Sequence, residues 1–91
     1  MNRKDSSLQS QNPISQAQNS VESAHNAVSQ AQTHPNEQTI DQAKRSLEHA
    51  QTAVHQAMTS HNDQAVEMVQ DMLSQEQQEL LQVEDQYHSH Q

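Results

Sequence analysis

Residues 17–32, AQNSVESAHNAVSQAQ, decide how this chain folds. A second copy of the stretch follows 26 residues later, at residues 43–58, as AKRSLEHAQTAVHQAM. In the first copy, extended back by three residues, apolar side chains recur at alternating steps of three and four: Ile14, Ala17, Val21, Ala24, Val28 and Ala31. These are the a and d positions of a heptad repeat. The spacing predicts an amphipathic α-helix, because a strand would require a period of two.

The same frame continues through the rest of the chain. The second copy has the same steps at Ile40, Ala43, Leu47, Ala50, Val54 and Ala57, and a third copy, in phase, has Val66, Val69, Leu73, Glu76, Leu80 and Val83. Three equally spaced helical units joined by short loops predict an all-α, three-helix antiparallel bundle with alanine-rich heptad packing. The residues expected to define its core and register are Val21, Val28, Leu47, Val54, Leu73, Glu76 and Leu80.

Proline and asparagine mark the helix boundaries. Asn12-Pro13 is a favoured start for the first helix, and Pro35 with Asn36 separates the first helix from the second. Ser60 and Asp63 resemble a capping box before the third helix. The predicted helices span about residues 13–32, 37–59 and 63–87, with a disordered polar tail at 1–12 and a frayed end at 88–91.

Composition excludes several classes of function. Ninety-one residues are enough for one small domain, and the net charge of −8 with histidine neutral argues against nucleic acid and anionic membranes as partners. The chain has no cysteine for thiolate chemistry and no glycine for a phosphate-binding loop. No combination of nucleophile, base and acid is recognisable, so we expect neither an enzyme nor a bound cofactor. The N-terminal MNRKDSSLQSQ lacks the apolar segment of a signal peptide, so we expect a cytoplasmic protein.

Negative charge is concentrated in the predicted third helix. Seven of the 12 acidic residues lie between residues 63 and 87, and no lysine or arginine accompanies them. A protein partner attracted to this helix is therefore expected to be basic. The candidate partner surface consists of Glu67, Asp71, Glu79 and Glu84. The simpler interpretation is a solvated acidic face that keeps the protein in solution.

Glu76 departs from the pattern, because it occupies a core-facing d position at which the other two copies have alanine. It can pair with Lys44 or with a neighbouring glutamine, and so define the helix register at some cost in stability. Alternatively, the third helix rotates slightly, presents Met72 and Leu73 to the core and leaves Glu76 at the rim. We favour this second interpretation.

The seven histidines raise the question of a metal site. His25, His49 and His55 fall at three different heptad positions, and no two histidines stand four residues apart on one helix face. The other histidines lie in predicted loops or near the end of the chain. We therefore predict no metal site.

The two alanine-spaced runs, at residues 17–31 and 43–57, share the pattern A-x3-V/L-x2-A-x2-A-V-x2-A. With these runs, a polar tail and an acidic, glutamine-rich surface, the chain resembles small uncharacterised helical proteins of Bacillus-type spore-forming bacteria. The resemblance implies a bacterial cytosolic protein with an accessory role in sporulation or stress. It implies no activity, because none is established for such families.

Together these patterns favour a small non-enzymatic helical protein that acts through protein–protein contact, with the acidic third helix as its surface. A second interpretation is a homo-oligomeric structural coiled coil, in which the alanine and valine stripe of one chain packs against another chain. A third is weak metal or proton buffering by histidines and carboxylates.

Overall fold

The computed structural model describes residues 13–59 and 63–89, and every regular element in these two segments is an α-helix. Helix α1 spans Pro13–Thr33, α2 spans Glu37–Ala57 and α3 spans Asp63–Ser89. Each helix packs against the other two, which confirms the predicted three-helix bundle. The predicted tail, the proposed caps at Asn12 and Ser60, and the last two residues lie outside the described segments.

The start of α2 is capped as the sequence predicts. The Asn36 side chain accepts a hydrogen bond of 2.9 Å from the backbone N–H of Thr39, and the Asn36 backbone N–H donates one of 3.1 Å to Thr39 Oγ1. This reciprocal pair is a capping box and satisfies two N–H groups that the helix leaves unpaired. Glu37 adds a carboxylate to the first turn, where the helix dipole favours negative charge.

The ends of α2 and α3 differ from the predicted ends by two residues. Helix α2 stops at Ala57, because Met58 and Thr59 form a turn. Helix α3 continues to Ser89, two residues beyond its predicted end. Ser89 Oγ donates a hydrogen bond of 2.8 Å to the carbonyl of Asp85, one turn earlier.

The core follows the predicted heptad frame in all three helices. Its buried apolar residues are Ala17, Val21, Ala24, Val28, Ala31, Ile40, Ala43, Leu47, Ala50, Ala53, Val54, Ala57, Val66, Val69, Leu73, Leu80 and Val83. Ile14 and Tyr87 pack against this core and are partly buried. Met58 is 50% exposed, because it lies in the turn after α2.

The three helix contacts differ in extent, and the difference follows from side-chain size. The alanines at the d positions of α1 and α2 are completely buried: Ala17, Ala24, Ala31, Ala43, Ala50 and Ala57. Small side chains let helix axes approach toward the short end of the usual range of about 8–10 Å. The α1–α2 contact is accordingly the most extensive of the three. Helix α3 has no alanine in its frame, and its contact with α2 is the least extensive.

Candidate functional site

Glu76 is the one charged residue buried in the core of the described segments. Its exposed fraction is 6%, and Leu73 in the same helix is buried beside it. The interpretation that α3 rotates and leaves Glu76 at the rim is therefore wrong. Val69 and Val83 occupy the same d stripe, one heptad before and one after Glu76. A rotation that exposed the carboxylate would also withdraw these two valines from the core.

The buried carboxylate contacts His25 of α1. His25 Nδ1 lies 2.7 Å from Glu76 Oε2, a hydrogen-bond distance, and the histidine side chain is 55% exposed. The pair therefore connects the core to the solvent between α1 and α3. Lys44, one of the two kinds of partner that the alternative interpretation offered for Glu76, instead contacts Glu84.

From the sequence alone His25 is one of several scattered histidines, although the repeat contains the signal for its pairing with Glu76. Two periods of 26 residues separate Ala24 from Glu76, so the two residues occupy equivalent frame positions. Helices α1 and α3 of an up-down-up bundle run parallel, which brings equivalent positions to the same level. His25 follows Ala24 directly, so it lies beside the core layer that contains Ala24 and Glu76.

Glu79 joins His25 and Glu76 in a cluster of three potential ligands, which we call the His25 cluster. One ligand atom from each side chain lies within 4.8 Å of the other two. Glu76 and Glu79 are three residues apart and so share one side of α3. Glu79 Oε2 also accepts a hydrogen bond of 3.3 Å from Gln75 Nε2.

The two oxygens of Glu76 differ in their surroundings. Oε2 meets His25, whereas Oε1 is buried and has no hydrogen-bond partner among the described residues. Burial raises the pKa of Glu76 above its usual 4.5, the hydrogen bond with His25 opposes the rise, and the charge of Glu79 adds to it. The cluster therefore contains a buried acceptor oxygen with no donor among the described residues, beside a second carboxylate, Glu79, that can hydrogen-bond to Glu76 only when one of the two is protonated.

A second polar contact, between α2 and α3, joins Lys44 and Glu84. Lys44 Nζ lies 2.8 Å from Glu84 Oε2, with the lysine side chain 54% exposed and the glutamate 20% exposed. The hydrogen bond to Glu84, together with the negative charge of that residue, raises the pKa of Lys44 above 10.5. Glu84, which was predicted to face a partner, is thus already engaged within the chain.

Two adjoining open cavities, of about 580 and 350 Å³, share Lys44 and Glu84 and run between α2 and α3. We call them together the α2–α3 groove, which the Lys44–Glu84 ion pair crosses where the two cavities meet. Its apolar lining residues are Ile40, Leu47, Leu80, Leu81 and Tyr87. Leu81 is 62% exposed, although it lines the groove. Leu81 was not among the residues predicted to form a surface, because it lies outside the a and d frame. The only sequence feature that could have indicated an exposed apolar residue here is a second leucine, Leu81, directly after the core residue Leu80.

The four acidic residues of the predicted partner surface do not form one surface. Glu67 and Asp71 are exposed, and neither lines the α2–α3 groove. Glu79 is half-buried in the His25 cluster between α1 and α3, and Glu84 lies in the groove on the other side of the helix. The acidic character of α3 is therefore divided between two places with different surroundings.

The remaining described histidines stand apart from the His25 cluster. His34, His49 and His55 are exposed, and His49 lines a separate open cavity of about 410 Å³ between α1 and α2. His88 lines the α2–α3 groove. His61 and the last histidine of the chain lie outside the described segments.

Comparison with known proteins adds no relative: no protein-family model, curated protein or solved structure matches the chain. Within the two described segments, no helix combines the length and the apolar character needed to cross a bilayer. Function is therefore inferred from the geometry of the α2–α3 groove and of the His25 cluster.

Proposed function

We propose that this chain is a non-enzymatic interaction module that binds a basic amphipathic helix of a partner protein in the α2–α3 groove. The observation that carries the proposal is Leu81, which is 62% exposed inside an open groove between two helices. A single exposed leucine on a convex surface is ordinary. Leu81 instead lines an open groove between two helices beside Leu47 and Leu80, and such a setting can take up an apolar anchor from a partner.

The dimensions of the groove suit a helix. Its lining residues on α2 run from Glu37 to Gln51, a distance of roughly 21 Å at 1.5 Å per residue. That length matches about four turns of a bound helix. In this mode of recognition, a partner helix inserts apolar side chains spaced at i, i+3 or i+4, and i+7. The apolar floor and the exposed leucine supply the complementary surface.

The charges of the groove select the partner. Four carboxylates line it against the single ammonium of Lys44: Glu37, Asp41, Glu48 and Glu84. The Lys44 ammonium is already paired with Glu84, and Asp41 is paired with Arg45 one turn along α2. Glu37 and Glu48 therefore carry the remaining negative charge at the rim of the groove. A basic helix is attracted to such a rim and is steered toward it. A second copy of this chain, with a net charge of −8, would bring like charges together.

The proposal can be tested with a displayed library of 18-residue helical peptides, selected against the full chain. Leucine is held at the i, i+3, i+7 positions, and the other positions are drawn from lysine, glutamate, glutamine and alanine. We expect selection to enrich lysine. A selected peptide, measured by fluorescence anisotropy, should bind Leu81→Ala at least about tenfold more weakly than the wild-type chain, since each 1.4 kcal/mol of lost contact is a factor of ten.

Met68→Ala is the matched control. Met68 is 57% exposed, lies on the same helix and does not line the groove, so its truncation should leave binding unchanged. Enrichment of glutamate, or equal losses in the two variants, would contradict the proposal. A dimer in sedimentation equilibrium that dissociates in Leu81→Ala would mean that the groove is filled by a second copy instead.

A further inference from the structure

The His25 cluster contains three chemically suitable metal ligands on two helices. An imidazole nitrogen comes from α1 and two carboxylate oxygens come from successive turns of α3, all within 4.8 Å of one another. Facing helices of a bundle are a common support for such ligand sets. The cluster lies between α1 and α3 and is separate from the α2–α3 groove, so the two proposals can fail independently.

The strongest indication of a ligand is the unsatisfied oxygen of Glu76. The side chain of Glu76 is 8% exposed, and its Oε1 atom is buried without a hydrogen-bond partner among the described residues. Buried polar atoms are nearly always paired, and each orphan needs a reason such as an ion. A cation bound to this carboxylate would supply the missing partner.

The charges around Glu76 also favour a cation. Glu79 places a second carboxylate in the same cluster, and α3 contains no lysine or arginine to balance it. Lys44, the base that the sequence suggested as a partner, is paired with Glu84 instead. Two carboxylates thus share one imidazole.

We propose that His25, Glu76 and Glu79 bind a divalent transition-metal ion, with Zn²⁺ as the probe. Zinc accepts imidazole nitrogen and carboxylate oxygen together, at about 2.0–2.2 Å. Ligand atoms at the corners of such a tetrahedron lie roughly 3.4 Å apart. The 2.7 Å contact between His25 and Glu76 therefore opens slightly, as the ion replaces the shared proton. Glu79, which is half-buried, moves inward.

The exposure of the cluster fits binding from solution. His25 is 55% exposed, so an ion has a route to the buried carboxylate and a water molecule can complete its coordination. The mixed nitrogen and oxygen ligand set separates zinc-like ions from Ca²⁺ and Mg²⁺, which prefer six or more oxygen ligands. Calcium is therefore expected not to compete.

The test is isothermal titration of the full chain with Zn²⁺ in a non-coordinating buffer near neutral pH. We expect one equivalent to bind with a dissociation constant in the micromolar range or below. His25→Gln and Glu79→Gln should each weaken binding at least about tenfold, a loss in the range that altered metal ligation usually causes. His49→Gln and Glu67→Gln, which alter exposed residues outside the cluster, should bind as the wild type does.

A thermal melt gives an independent readout. Saturating Zn²⁺ should raise the melting temperature of the wild type, since an ion that binds only the folded state stabilises it. The rise should be smaller in Glu79→Gln at the same Zn²⁺ concentration, in a variant that keeps the buried carboxylate and the core. The absence of stoichiometric binding would overturn the proposal. So would binding that survives His25→Gln and disappears when His88 and His90 are replaced.

Discussion

Replacing the buried carboxylate of Glu76 by an apolar side chain of similar size should stabilise the bundle. Glu76→Met keeps the unbranched shape and the helix preference of glutamate and removes both oxygens. The substitution eliminates an acceptor that is buried without a partner. It also eliminates the contact with His25, whose side chain is 55% exposed and returns to water.

The structure sets the expected size of this effect. A buried unsatisfied acceptor costs about 1–3 kcal/mol. The hydrogen bond from half-exposed His25 offsets only part of the free-energy cost of burying the Glu76 charge, because solvent screens the interaction between the two side chains. Replacing buried ionic pairs by well-packed apolar residues is often neutral or stabilising by about 1–4 kcal/mol. We therefore expect Glu76→Met to raise the free energy of unfolding by about 1–3 kcal/mol. For a domain of this size, each kcal/mol shifts the melting temperature by about 4–8 °C.

The pH dependence has a definite sign. Burial raises the pKa of folded Glu76 above 4.5, so the folded state holds the proton more tightly than the unfolded state. The wild type therefore loses stability as pH rises from about 4.5 through the raised pKa. His25 from α1 and Glu79 from α3 are the titratable groups that face Glu76 in the described segments. The advantage of Glu76→Met should be largest above that pKa and should shrink toward pH 4.5.

The assay is urea unfolding followed by helical circular dichroism, with a chelator present so that no bound metal contributes. Glu67→Met is the control, since Glu67 is exposed on the same helix and its replacement should change stability by less than about 0.5 kcal/mol. A Glu76→Met protein that is less stable than the wild type, beside a neutral control, would refute the reasoning. It would mean that the hydrogen bond between His25 and Glu76 stabilises the fold by more free energy than burial of the Glu76 carboxylate costs.

Three further substitutions test other parts of the fold. Ala50→Leu overfills the contact that is packed most closely and should cost about 1–3 kcal/mol in urea unfolding, whereas leucine at exposed Gln51 should cost less than about 0.5 kcal/mol. Asn36→Ala removes the cap of α2 and should cost about 0.5–2 kcal/mol in thermal melts, a loss that Asn19→Ala, exposed within α1, should not show. The pKa of Lys44 is raised above 10.5 by its pairing with Glu84. The stability that the Lys44–Glu84 pair adds to the fold is therefore present below pH 10.5 and is lost as pH rises through the raised pKa. Between about pH 9 and 12 the wild type should lose more stability than Lys44→Met, and identical pH profiles would show that the pair contributes nothing.

Local periodicity accounts for the part of the fold that could be predicted. The a and d spacing around Val21 and Val28 defines one apolar side of a helix, and the same spacing recurs around Leu47 and Leu80. Because each stripe must be buried, three stripes joined by short loops permit few arrangements. The cap at Asn36 was equally predictable, since it depends on only four consecutive residues.

The error at Glu76 shows the limit of one-helix reasoning. A carboxylate at a core position suggests that its helix rotates to expose it. The same rotation would also expose the valines one heptad before and after Glu76, and this cost rules it out. The partner of Glu76 was not predicted, because a contact between helices depends on which helices are neighbours and on which of their residues lie at the same position along the bundle axis. His25 lies 51 residues away in the chain and outside the apolar frame.

The sequence by itself determined the number of helices, their approximate ends and most of the apolar residues that each helix buries, because these properties depend on neighbours within a few turns. Tertiary structure alone decided that His25 and Glu79 converge on a buried carboxylate, and that Leu81 lies exposed in a groove with an acidic rim. The cluster and the groove both depend on the distances between the helices. The summed sizes of the side chains that face each other determine those distances. Alanine brings α1 and α2 together, and the larger residues of α3 leave its boundary with α2 open.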